Sequence, residues 1–86
     1  MRDRKAIEVE VRRVLSARGQ IPVDVTSLAA TQSLYDAGLT SHATVRVMLA
    51  LEDCFDVEFP DELLQRSVFD QIASITEAIE KLCMQD

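Results

Sequence analysis

Hydrophobic residues recur at helical spacing in three stretches of the chain and lose that spacing between them. Ile7, Val11, Val14 and Leu15 lie four, three and one positions apart with charged residues between them, the stripe of an amphipathic helix. This predicts a first helix over about residues 4–18, with Arg18 in its last turn, Gly19 as its terminating residue and Pro22 beyond it. From Gly19 to Thr40 no period is sustained, although "SLYDAGL" reads as a turn of helix closed by Gly38. Leu28, Leu34 and Leu39 are the residues expected to pin this connection to the core, and a connection of this length often has a functional end.

After Gly38 the pattern changes to Val45, Met48, Leu49 and Phe55, with Val47, Leu51 and Cys54 as a second apolar stripe at i, i+4 and i+7. The polar remainder, chiefly Arg46, Glu52 and Asp53, is narrow. A helix that is apolar over most of its girth is central in a bundle, or keeps one stripe for a ligand or partner. In "FPDELL" an early proline and two acids announce a short helix over about residues 60–65. Ile72, Ile75, Ile79 and Leu82 then mark a last helix over about 70–83. The expected fold is all-α, a small four-helix bundle of three longer helices and one short one with a long first loop. Its second helix starts at the octapeptide "GLTSHATV", residues 38–45.

With 86 residues, the chain has room for one domain, residues 1–86, and too little mass for a deep substrate pocket walled off from water. That favours a binding or carrier module, expected as a monomer, over an enzyme. Five per cent aromatic residues, two glycines and two prolines suit packed helices better than a sheet full of turns. No apolar run approaches the roughly 20 residues that span a bilayer, and the polar start Met1 to Lys5 is not followed by a signal-peptide stretch. A cytoplasmic protein with no membrane partner is expected.

Cys54 and Cys83 lie 29 positions apart, and neither belongs to a CxxC pair or has histidine at zinc-ligand spacing, which points to two plain thiols. Residues 1–18 carry a balance of +3 and residues 19–86 one of −9. The acidic body disfavours nucleic acid and favours basic protein surfaces.

The octapeptide surrounds the one histidine with Thr40, Ser41 and Thr44, and its residues leave several readings open. A threonine or serine oxygen there can cap the following helix, and if Thr40 does so, Ser41 enters the first turn with its hydroxyl free. A hydrolytic pair of Ser41 and His42 is disfavoured. Adjacent helical residues project about 100° apart, and the G-x-S-x-G elbow is absent. A metal site built on Asp53, Asp56, Glu58, Asp61 and Glu62 lacks the glycine and ligand spacing of a calcium loop, so a solvated acidic edge is favoured over a metal. Covalent modification remains: a serine at a helix N-terminus has open N–H groups and a positive dipole end for a phosphodiester.

The segment "LYDAGLTSHATVRVMLALEDCFDVEFPDELL" resembles the central part of acyl and peptidyl carrier proteins. Their hallmark is a Gly-x-Asp-Ser-Leu segment opening helix two, then an apolar helix, an acidic-aromatic corner and an "IP/FPDE" turn. The resemblance covers nearly all of the chain. It implies a four-helix carrier fold, with Ser41 as the attachment point for 4′-phosphopantetheine and no catalytic residue. Thr40 replaces the family's aspartate and His42 its leucine, and Ala43, Thr44 and Arg46 stand where fatty-acid carriers are acidic.

In these departures the chain is similar to the stand-alone aminoacyl carrier proteins, which show Gly-Leu-Ser/Thr-Ser, an aromatic residue or histidine, Ala-Ser/Thr-Val and "FPD-x-LL". That similarity implies three partners: a phosphopantetheinyl transferase, an amino acid:carrier-protein ligase resembling class II aminoacyl-tRNA synthetases, and a downstream acceptor enzyme. Thr40, His42, Val45, Arg46, Met48, Glu52 and Asp53 are the residues expected to meet these partners. The alternatives are a fatty-acid or polyketide type carrier, and an unmodified interaction module that offers the Val47, Leu51, Cys54 stripe to a partner helix.

Overall fold

The computed structural model describes residues 3–84, so Met1 and Arg2 of the polar start lie outside the described residues. The first helix, α1 (Arg4–Arg18), runs as its periodicity predicts and buries Ile7, Val11, Val14 and Leu15. The Asp3 carboxylate caps it by accepting the Ala6 N–H at 2.8 Å. It ends where expected, with Gly19 as its C-cap. Gly19 stays right-handed and donates to the Leu15 carbonyl at 2.9 Å. The left-handed residue that turns the chain away is Gln20, with φ 53°.

The first loop contains a 3₁₀ turn at Val25–Ser27 and a single helical turn, α2 (Leu34–Ala37). One α1 side chain organises it. Arg12 donates through Nη1 to the carbonyls of Val25 and Leu28, at 2.9 and 2.8 Å, and through Nε to Glu8 at 3.1 Å. At the loop's end Ser33 Oγ donates to the Asp70 carboxylate at 2.6 Å, and the Leu34 N–H to the Asp70 carbonyl at 2.6 Å. Leu28, Leu34 and Leu39 are buried, so the loop is held by both apolar and polar contacts.

The central helix α3 (Ser41–Phe55) packs on α1, which also packs on the last helix, α5 (Ile72–Met84). Its buried stripe is Ala43, Val47, Leu51 and Phe55, while Val45 and Leu49 remain 52% and 54% exposed. Steps of four advance only about 40° around a helix, so that stripe follows α1 and the opposite positions cannot reach the core. The Val47, Leu51, Cys54 stripe is therefore not available to a partner helix. Val47 and Leu51 are core residues, and Cys54 is half-buried.

The expected short helix over 60–65 is also corrected. A 3₁₀ turn occupies Asp61–Leu63, Leu64 interrupts it at ψ 61°, and α4 (Arg66–Phe69) follows. The last helix begins at Ile72 rather than 70, because Asp70 turns between α4 and α5 with its carbonyl accepting from Leu34. Phe59 and Phe69 close this end of the core, their rings 5.5 Å apart and tilted by 53°. Three long helices with short ones before and after α3 make an all-α bundle among the described residues. Among the described residues no helix is long and apolar enough to cross a membrane.

Candidate functional site

The start of α3 is set by the residues before it. Gly38 ends α2 at φ 120°, and a Cβ there would lie 2.5 Å from Pro22 Cδ, so this corner needs both the left-side backbone and the missing side chain. Leu39 then turns inward and its N–H reaches the Leu34 carbonyl at 2.9 Å. Thr40 is the cap. Its Oγ1 accepts the Ala43 N–H at 3.0 Å, and its carbonyl accepts the Thr44 hydroxyl at 2.8 Å.

Because Thr40 does the capping, Ser41 is left as the first residue of the helix, exposed, with no hydrogen bond to its hydroxyl among the described residues. The N–H groups of Ser41 and His42 have no acceptor within the helix, and the dipole places its positive end there. Ser41 opens onto a groove of about 360 Å³ between α3 and the α4 region, lined by Tyr35, Val45, Met48, Arg66 and Phe69 among others. The Arg66 guanidinium carbon sits 3.9 Å above the centre of the Tyr35 ring. The Thr44 hydroxyl oxygen, in turn, lies 3.3 Å from the Tyr35 hydroxyl, placed to accept its proton. Sequence reasoning missed Tyr35 and Arg66. Their signal was an aromatic residue in the turn before Gly38 and one of only three bases after residue 18.

The residues singled out from the sequence divide between two sides of α3. Val45 and Met48 share the groove with Ser41. Arg46 and Asp53 lie on the far side, in a second depression of about 250 Å³ with Arg18, Leu49 and Ala50. His42 joins that far side, its Nε2 3.3 Å from an Arg46 nitrogen, and does not pair with Ser41. Glu52 is committed to the fold: its carboxylate accepts the Phe59 N–H at 2.8 Å and closes the corner after α3. Among the described residues the acids of that corner do not gather into a metal-binding group. Cys54 and Cys83 are both free thiols, and Arg13 Nη2 lies 3.4 Å from Cys54 Sγ.

An exposed serine hydroxyl at the positive end of a long helix, beside an apolar groove with room for a flexible chain, fits a phosphate-linked arm. Comparison with known proteins agrees. The profile of the phosphopantetheine attachment site family matches residues 9–79. The aminoacyl carrier protein of Agrobacterium fabrum (strain C58) is 43% identical over 70 residues, which are 81% of this chain and 84% of that protein.

Among the solved structures that contain a similar chain, two are complexes. Both are of an engineered Bradyrhizobium japonicum glycine:[carrier protein] ligase complexed with carrier protein from Agrobacterium tumefaciens. In the complex with ATP the match has a TM-score of 0.84 at 40% identity and covers 87% of this chain and 97% of that one. In the complex with AMP the TM-score is 0.82 at 41% identity, with 85% and 97% covered. The chain belongs to the phosphopantetheine-attachment family of carrier proteins and is a homologue of the aminoacyl carrier proteins.

Proposed function

We propose that Ser41 is the residue that carries 4′-phosphopantetheine, and that the chain is a cytoplasmic aminoacyl carrier rather than an enzyme. The observation that carries this reading is the division of work at the start of α3, where Thr40 caps the helix and leaves the Ser41 hydroxyl exposed. In the modification, Ser41 Oγ forms a bond to the phosphorus next to the pantetheine of coenzyme A. The adenosine bisphosphate leaves, and the serine proton passes to a base of the phosphopantetheinyl transferase. The arm supplies a terminal thiol that holds the carried group as a thioester.

This chain's own residues position that arm. Gly38 and Thr40 fix where α3 starts, the open N–H groups face the phosphate, and Val45, Met48 and Phe69 give the arm an apolar wall. His42 turns to Arg46, and the likeness to carrier proteins supports a chain that holds its cargo for other enzymes. The likeness to a carrier chain bound to a glycine:[carrier protein] ligase supports a ligase of that kind as the loading partner, with a further enzyme as acceptor.

Incubation with coenzyme A and a broad-specificity phosphopantetheinyl transferase, followed by mass spectrometry, tests the attachment. The wild type is expected to gain one phosphopantetheine and Ser41→Ala none; a folded wild type that gains nothing overturns the reading. Loading separates the carrier types. The holo protein is expected to accept a small amino acid from the ligase, and efficient malonyl transfer without aminoacylation would favour the fatty-acid type instead.

A further inference from the structure

The far side of α3 carries a charge distribution at odds with the rest of the chain. The protein has a net charge of −6, yet no acid occurs between Asp36 and Glu52. Arg4, Arg12, Arg13 and Lys81 are each paired with a glutamate. Arg18 and Arg46 form no ion pair among the described residues, although α1 and α3 bring them to one depression. Beside them Leu49 is more than half exposed, and Val45, equally exposed and one turn before it, stands on the ridge between this depression and the Ser41 groove. Asp53 is the one acid lining that depression, at its far end.

We infer that this face, Val45 and Leu49 flanked by Arg46 and Arg18, docks an acidic protein patch with a small apolar centre on the loading ligase. The inference rests on the aminoacyl-carrier reading. Two unpaired guanidinium groups on an acidic molecule attract a negative surface and turn this end of the carrier toward it, while the acids elsewhere are repelled. Two apolar side chains give the contact a dry centre, and so few residues suit a weak encounter that releases its partner after each transfer. The geometry fits a carrier. Val45 and Leu49 follow Ser41 by about 6 and 12 Å along the helix axis, so a partner seated on them meets the serine at the edge of the contact.

The test is glycine loading of the purified holo protein by the Bradyrhizobium japonicum ligase, with KM and kcat measured separately. Arg46→Glu and Leu49→Asp are expected to raise KM about tenfold or more with kcat within about twofold, and Arg18→Glu to raise it severalfold. Lys81→Glu, whose side chain pairs with Glu77 on α5, is the control and should leave both constants unchanged. Added salt should raise the wild-type KM and lower that of Arg18→Glu combined with Arg46→Glu, whose repulsion from the acidic patch it screens. If Arg46→Glu and Leu49→Asp are loaded with KM within about twofold of wild type, or if Arg46→Glu lowers KM, the docking surface is overturned while the carrier reading stands. If the wild-type holo protein is not loaded at all, the aminoacyl reading fails and the surface falls with it. All the substituted positions are exposed, and circular dichroism of each variant separates a docking defect from misfolding.

Discussion

The two sides of α3 are built from similar residues and have opposite fates. On one side Ala43, Val47, Leu51 and Phe55 are at most 8% exposed and press against α1 and its neighbours. On the other, Val45 and Leu49 are more than half exposed, in line with Ser41 and flanked by His42 and Arg46. Leucine and valine occur on both sides, so hydrophobicity alone does not distinguish them. What distinguishes them is angle: the buried residues repeat every four positions and the exposed ones are offset by two. The packed side holds the helix still, and the open side is what a still helix can present.

The largest effect that tests this comparison is Leu51→Ala. Leu51 is fully buried, and its truncation should cost about 2–5 kcal/mol, transfer and cavity terms together. A thermal or urea unfolding curve measures it. A loss below about 1 kcal/mol would mean that the packed side does not anchor α3.

How much of this was legible in the sequence depends on which force sets each feature. Helix α1 was readable to the residue because Ile7, Val11, Val14 and Leu15 form a single stripe with charge on every other side. The start of α3 was readable because Gly38, Thr40 and Ser41 act locally, through backbone angle and capping. The orientation of α3 was not. Two apolar stripes compete in its sequence, and the choice between them is made by α1, which lies far away in the chain. The 60–65 helix failed for a related reason: its two leucines part, Leu63 packed against the core and Leu64 45% exposed, while the Phe59 N–H before them is tied to Glu52. Arg12 as the anchor of the first loop was equally hidden, since its acceptors are backbone carbonyls that carry no sequence signal.

Glu52 and Asp53 sharpen the comparison next, because they are chemically alike and adjacent. Glu52 accepts a backbone N–H at 2.8 Å in a half-buried place, whereas Asp53 is exposed. Glu52→Ala should destabilise by about 1.5–3 kcal/mol, as expected for losing a hydrogen bond to a charged group, and Asp53→Ala by almost nothing. Equal losses in denaturant melts would erase the distinction between an acid that builds the corner and one that faces outward.

A smaller difference is expected between Thr40 and Ser41. Loss of the Thr40 cap should cost about 1 kcal/mol, while Ser41→Ala should stay within about 0.5 kcal/mol of wild type, because Ser41 makes no hydrogen bond among the described residues. The functional order is reversed. Thr40→Ala should still gain a phosphopantetheine in the mass-spectrometric assay and Ser41→Ala should not. A Thr40→Ala protein that folds but is not modified would show that the cap also takes part in recognition.

The smallest expected effect bears most directly on the open side. Leu49 is 54% exposed, so replacing it by serine removes little area from the folded core and should change stability by less than about 0.5 kcal/mol. For a domain of this length that is a shift of no more than about 2–4 °C in Tm. The same leucine→serine change at position 51 should unfold much of the population. A drop at position 49 comparable to the one at position 51 would mean that Leu49 is held by packing within the chain. A silent Leu49→Ser leaves a leucine whose exposure the fold does not require, and that is the condition under which its role lies in contact with another molecule.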